Sequence, residues 1–85
     1  MSQIQHIFAV YDEPGEAFTS IFQMATRGLA VRAMQDLIND PNHQFSRHSD
    51  DFVLHHLGSI EMVTGEIDPC NEVVCRHRDL PKKLE

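Results

Sequence analysis

The sequence predicts an α+β domain, in which a small antiparallel sheet of three to four strands carries one helix on a face, in the order β-β-α-β-β. Three observations support this class. Two segments rich in β-branched and aromatic residues come first, an amphipathic segment follows them, and another apolar stretch comes after a polar connection. The chain has 85 residues, which is enough for one domain.

The first two strands are expected at residues 3–12 and 17–25. The first is rich in β-branched and aromatic residues. The second alternates, with Phe18, Ser20, Phe22 and Met24 on one face and Thr19, Ile21 and Gln23 on the other. The segment 12–15 between them reads Asp-Glu-Pro-Gly. It predicts a turn, because proline presets φ and glycine accepts a positive φ. The two strands are therefore expected to form a hairpin.

The helix is expected over residues 27–39, where apolar side chains recur at the spacing of one helical face. These residues are Ala30, Ala33, Met34, Leu37 and Ile38. Thr26 is a suitable N-cap, since its hydroxyl accepts from a backbone N–H that has no partner within the helix. Pro41 ends the helix, because proline disfavours helical geometry at the residue before it.

The rest of the chain predicts a polar loop over 41–51, a strand over 52–62 with a bulge or bend at Gly58, and a short last strand around Val73 and Val74. We expect one domain over residues 1–75 and a basic, flexible tail over 76–85. One helix covers only one side of a sheet. The other side therefore lies in water or against a second copy, and we expect a homodimer.

Composition narrows the class of protein. A hydrophobic share of 41% argues against disorder, and no apolar stretch is long enough to span a membrane. The first residues lack the pattern of a signal peptide, so both cysteines are expected to be reduced thiols. The net charge is −6, with −8 over residues 1–75 and +2 over residues 76–85. An acidic body argues against strong sequence-independent adhesion to DNA.

Several short motifs, in order, resemble a known family. They are YD at 11–12, TRGLAVRA at 26–33, NDPNHQF at 39–45, HSDDFVL at 48–54, LG at 57–58 and TGE at 64–66. Together they resemble the small non-structural protein of gokushovirus-type Microviridae, which are single-stranded DNA bacteriophages. The resemblance covers residues 3–67. It implies a protein of the host bacterial cytoplasm that binds DNA during the switch to single-strand synthesis and packaging, and it supplies no catalytic residues.

Candidate nucleic-acid-binding residues lie at the helix start, where backbone N–H groups favour anions, and among the basic side chains. They are Thr26, Arg27, Gly28, Arg32, Arg47, Arg76, Arg78, Lys82 and Lys83. Exposed aromatic rings would stack on bases, and the candidates are Tyr11, Phe18, Phe22 and Phe52. Alternatively, these rings fill the core and Thr26 only caps its helix.

No cofactor is expected, and one alternative involves a metal. Cys70, Cys75 and His77, completed by His55 or His56, would form a zinc site, although the spacing is unusual. The alternatives are two reduced thiols beside an exposed histidine and, if the protein is oxidised, a Cys70–Cys75 disulfide. His55 and His56 are adjacent in a strand and should point to opposite faces. The sequence has no phosphate-binding loop, nucleophile elbow or zinc-protease motif, so we expect no enzymatic activity.

Two hypotheses follow. The first is a non-enzymatic phage protein that binds nucleic acid, with single-stranded DNA as the expected form, and assists replication or packaging. The second is an acidic interaction module that binds a phage replication or capsid protein or a host factor, and uses its negative surface to steer the encounter.

Overall fold

The structure, a computed structural model, describes residues 3–76, and one antiparallel sheet dominates it. Its strands are β1 (Ile4–Asp12), β2 (Ala17–Met24), β3 (Phe52–Glu61) and β4 (Ile67–Arg76). Between β2 and β3 lie helix α1 (Arg27–Ile38), the short helix α2 (Gln44–Arg47) and a 3-10 turn at Ser49–Asp51. The strands are ordered β2-β1-β3-β4, and each neighbouring pair is antiparallel.

The predicted α+β class is wrong, and the protein has a small β-rich fold. The four strands contain half of the described residues, whereas the helical residues form one helix of three turns and two very short segments. The last strand has ten residues, not the short segment predicted around Val73 and Val74. Pro69 lies within β4, and proline disfavours strands because it has no backbone N–H to donate. Proline is nevertheless tolerated here because β4 is an edge strand.

The first two strands form a hairpin, as predicted, with Phe8 opposite Phe22 and Asp12 opposite Ala17. The predicted bulge at Gly58 is also confirmed. Gly58 lies opposite Ile7 on one side and Pro69 on the other, and the register shifts next to it on both sides. The polar stretch 41–51, predicted as a loop, contains α2 and the 3-10 turn.

The core lies between α1, α2 and one face of the sheet. Its buried residues are Phe8, Val10, Ala30, Met34, Ile38, Phe45, Phe52, Leu54 and Cys75. Thr26 caps α1, since its hydroxyl accepts a hydrogen bond from the backbone N–H of Leu29 at 3.2 Å. We call the covered side of the sheet, which carries Phe8 and Leu54, the helix-side face. The other side, which carries Tyr11 and His55, is the open face.

Candidate functional site

The sheet strands carry their acidic side chains on one face only. The register places Glu72 opposite His56 and Asp68 opposite Ser59, on the helix-side face. Because side chains alternate along a strand, the other strand carboxylates belong to the same face. The complete set in the described strands is Asp12, Glu61, Asp68 and Glu72. Over the described part of the chain, the strand residues of the open face therefore include no carboxylate.

Three rings form an aromatic cluster on the open face. Tyr11 and Phe18 are in edge contact with a centroid separation of 4.9 Å, and His55 lies 5.1 Å from Phe18 and 5.9 Å from Tyr11. Phe18 is 38% exposed although it is a large apolar residue. We call these residues the aromatic cluster. It offers ring surfaces to a ligand lying across the sheet.

The aromatic cluster borders a shallow groove that also contains polar and basic groups. Asn71 and Val73 of β4 line one side, and Arg76 lies at the end of that strand. The Nδ1 atom of His55 is 2.8 Å from Oδ1 of Asn71, a hydrogen bond that orients the ring. Arg76 donates to Glu13 of the β1–β2 turn at 3.2 Å. The groove therefore presents ring surfaces, an amide, a guanidinium and the Glu13 carboxylate side by side.

The helix start, predicted to bind phosphate, is already engaged in internal contacts. Thr26 caps the helix, and Arg27 forms an ion pair with Glu72 of β4. Gly28 leaves open space, since an added Cβ would meet only the Thr26 hydroxyl at 3.8 Å. Phosphate binding at this point would have to compete with a carboxylate for Arg27.

The predicted basic residues do not converge on one patch. Arg27 contacts the helix-side face, whereas Arg76 lines the groove of the open face. Arg32 is exposed on α1 and Arg47 is exposed at the end of α2, and neither forms an ion pair with a described residue. His77, Arg78, Lys82 and Lys83 lie outside the described residues. The assignment of these side chains to nucleic-acid binding stays a prediction.

The four aromatic residues considered for base stacking divide into two pairs. Tyr11 and Phe18 belong to the aromatic cluster of the open face. Phe22 is half-buried and stacks on Phe8 with a centroid separation of 5.9 Å, while Phe52 is buried against Phe45. Phe52 therefore fills the core and is not available for base stacking, and the same is largely true of Phe22.

A second cluster of polar groups lies on the helix-side face beyond the helix start. The Nδ1 atom of His6 and the Nε2 atom of His56 are 3.1 Å apart, and the Nδ1 atom of His56 is 3.6 Å from Sγ of Cys70. Glu72 lies beside them, and one donor atom from each of His56, Cys70 and Glu72 is within 4.8 Å of the others. We call these four residues the His-Cys cluster.

The predicted zinc ligands are only partly represented in this cluster. Cys70 and His56 lie together, but Cys75 belongs to the buried core and His77 lies outside the described residues. Neither cysteine forms a disulfide within the described part of the chain. As predicted, His55 and His56 point to opposite faces, and each joins a different cluster.

Sequence reasoning considered His55 only as a zinc ligand and did not identify His6 as a site residue. His55 completes the aromatic cluster, and its place on the open face follows from strand alternation once the register with Tyr11 and Val53 is known. His6 contacts His56 from a strand fifty positions away in the sequence. No local motif marks such a contact, because strand pairing alone creates it.

The fold and its surfaces define a small β-rich protein with one covered and one open sheet face. Among the described residues, no helix is both long and apolar enough to cross a membrane. The family described as Phage ORF5 protein matches residues 5–80, so the chain belongs to this family of phage proteins. The match extends beyond residue 67, where the resemblance seen in the sequence ended. No curated protein and no solved structure matches the chain.

Proposed function

We propose that this phage protein is a non-structural, non-enzymatic protein of gokushovirus-type Microviridae that binds single-stranded DNA in the cytoplasm of the bacterial host. It assists genome replication or the switch to single-strand synthesis and packaging. The observation that carries the proposal is the open face. It combines a partly exposed aromatic cluster with strand residues that include no carboxylate on that face, in a chain whose net charge is −6.

Stacking on the aromatic cluster supplies the main binding interaction. Bases stack on aromatic side chains without regard to sequence, and each such contact contributes about 1–3 kcal/mol. Tyr11, Phe18 and His55 lie 4.9–5.9 Å from one another, so one or two bases can lie against them. Duplex DNA keeps its bases stacked inside the helix, so this arrangement favours a single strand.

Phosphate contacts come from Arg76 and from the basic residues that follow it in the sequence. Arg76 lines the groove beside the aromatic cluster, and Arg78, Lys82 and Lys83 come next along the chain. The strand carboxylates lie on the helix-side face, so the carboxylate that lines this groove is that of Glu13 in the β1–β2 turn, and a phosphate would compete with it for Arg76. Since each neutralised phosphate releases counterions, binding should weaken with added salt, with a slope of about −0.7 per phosphate in a plot of log K against log salt.

The test is a fluorescence anisotropy titration of a labelled oligothymidylate with the full chain at low and moderate salt. Phe18→Ala should weaken binding by about 5–150-fold, the equivalent of one lost stacking contact of about 1–3 kcal/mol. Replacing Arg76, Arg78, Lys82 and Lys83 together by Ala should remove most of the affinity and reduce the salt slope. Leu29→Ala is the matched control, because Leu29 is 42% exposed and lies on α1, away from the open face.

Three results would contradict this proposal. The first is no binding at micromolar protein in low salt. The second is an equal loss for Phe18→Ala and Leu29→Ala, which would show that the open face is not the binding surface. The third is unchanged binding in the variant with all four basic residues replaced, which would show that these residues do not contact the DNA.

An acidic interaction module is the second candidate, and the ion pairs favour it. Two of the described arginines, Arg27 and Arg76, are each paired with a carboxylate, which lowers their availability for phosphates. Glu61, Glu66 and Asp68 line a groove at the other end of the sheet and offer a negative surface to a basic partner. A pull-down from infected cells that recovers a phage replication or capsid protein, together with a negative oligonucleotide titration, would favour this candidate.

A further inference from the structure

We propose that the His-Cys cluster on the helix-side face binds a divalent transition metal ion, with Zn²⁺ as the best match. His56, Cys70 and Glu72 are the protein ligands, and His6 forms a hydrogen bond with the ring nitrogen of His56 that does not bind the metal. This site is independent of the DNA-binding surface, which lies on the open face. It also differs from the zinc set that the sequence suggested, since it uses neither Cys75 nor His77.

The separations within the cluster fit a tetrahedral metal centre. Zinc binds imidazole nitrogen at about 2.0 Å and thiolate sulfur at about 2.3 Å, which places the two donors about 3.5 Å apart at a tetrahedral angle. The Nδ1 atom of His56 and Sγ of Cys70 are 3.6 Å apart. A carboxylate oxygen of Glu72 completes a set of three donors within 4.8 Å of one another. A small displacement of these side chains would suffice to hold the ion.

His6 provides the outer contact that metal-bound histidines usually have. A ligating histidine commonly donates its other ring N–H to an acceptor, and this contact fixes the tautomer and the ring orientation. When Nδ1 of His56 binds the metal, its Nε2–H can donate to Nδ1 of His6, which lies 3.1 Å away. The ring centroid of Phe8 lies 5.1 Å from that of His56, so the Phe8 ring packs against His56 on the side of the core.

The surroundings favour a cation. His56 and Cys70 are half-buried, so the donors are partly shielded from water while remaining reachable. A neighbouring groove adds negative charge, because three carboxylates line it. Ser59, which lies opposite His6 in the sheet, borders this groove together with Glu61, Glu66 and Asp68. Glu72 already attracts one positive group, the guanidinium of Arg27. A carboxylate has two oxygens, so Glu72 can bind a metal ion while it contacts Arg27 or after Arg27 has moved away.

The chemical types of the three donor atoms favour some metal ions over others. One nitrogen, one thiolate sulfur and one carboxylate oxygen suit zinc, whereas magnesium and calcium prefer oxygen ligands alone. Three protein ligands leave a fourth position for water or a further ligand. The thiol of Cys70 donates to the backbone carbonyl of His56, with Sγ 3.4 Å from the oxygen. Metal binding requires Cys70 as the thiolate, so this proton would be released to solvent.

The test is a titration of the reduced full chain with Co²⁺, followed by displacement with Zn²⁺. We expect one equivalent of Co²⁺ to produce the near-ultraviolet charge-transfer band of a cobalt–thiolate bond, and Zn²⁺ to abolish it. Cys70→Ser should remove the band, and Cys75→Ala should retain it at unchanged affinity. His6→Gln should retain the band but weaken binding by about 10–100-fold, as expected for loss of an outer hydrogen-bond partner.

Glu72 and Arg27 provide a test that does not disturb the half-buried residues. Their side chains are about half exposed, so Glu72→Gln and Arg27→Ala should both fold. Glu72→Gln should weaken Co²⁺ binding at least tenfold, whereas Arg27→Ala, which removes the same ion pair but no ligand, should leave it unchanged or tighten it. The proposal is overturned if the wild-type chain gives no thiolate band, if Cys70→Ser keeps it, or if both substitutions at this ion pair weaken binding equally.

Discussion

Gly58 shows how one residue determines the shape of the sheet. It is buried in β3 with a φ of 151°, a conformation that side-chain-bearing residues rarely adopt. A Cβ at this position would lie 2.7 Å from the backbone carbonyl oxygen of Asp68. The bulge at Gly58 lets β4 approach closely on one side while β3 changes register against β1 on the other.

Gly58→Ala should therefore destabilise the protein by at least about 1–3 kcal/mol, the usual cost of forcing a residue into a disfavoured backbone region. Urea unfolding followed by circular dichroism measures this change. Gly28→Ala is the control, because its Cβ would meet only the Thr26 hydroxyl at ordinary contact distance. Alanine is also favoured over glycine in a helix, so the control should be unchanged or more stable by up to about 1 kcal/mol. Equal losses in both variants would contradict this role of Gly58.

The individual secondary-structure elements show which parts of the fold follow from the sequence. Local patterns predicted the hairpin, the bulge at Gly58 and the capped helix, whose buried residues Ala30, Met34 and Ile38 repeat every four positions. They failed for β4, because Asp68, Pro69 and Asn71 disfavour strands and only pairing with β3 overrides them. The long last strand explains why the class is β-rich and not α+β.

The candidate sites were less predictable than the helices and strands, because they too depend on how strands distant in the sequence pair with one another. Tyr11 and Phe18 were identified as possible stacking residues from their type, but their shared face with His55 depends on the register of three strands. Cys70 and His56 were identified as possible ligands. Their partner His6 could not be found in this way, because its contact arises from strand pairing alone.

Helix α1 attaches to the sheet mainly through one row of side chains, and Met34 is the largest fully buried residue in that row. Met34→Ala should cost about 2–5 kcal/mol, because it removes buried apolar surface and leaves a cavity. For a chain of this length the total stability is on the order of 4–13 kcal/mol, so the variant should approach unfolding. Urea denaturation measures the loss. Arg32→Ala, on the exposed side of the same helix, should change stability by no more than about 0.5 kcal/mol.

At the scale of the whole molecule, α1 and α2 cover one face of the sheet and leave the other open. Ile21 is 75% exposed, and Ile67 and Val73 are more than half exposed on the same face. Exposed apolar patches of this kind usually mark a binding surface. A single strand of DNA and a second copy of the chain would both use this face, so the two partners should compete for it.

The solution mass, measured by light scattering with and without an oligonucleotide, tests this competition. Without DNA we expect twice the 9.7 kDa mass of one chain, because pairing of two open faces removes their apolar side chains from water. An excess of oligothymidylate should shift the mass to one chain per bound strand. Ile21→Glu should give a monomer that still folds, since this side chain makes few contacts within the chain, whereas Leu29→Glu on α1 should remain a dimer. A dimer that persists in Ile21→Glu would place the contact between copies elsewhere, and a dimer unaffected by bound DNA would show that the two partners use different surfaces.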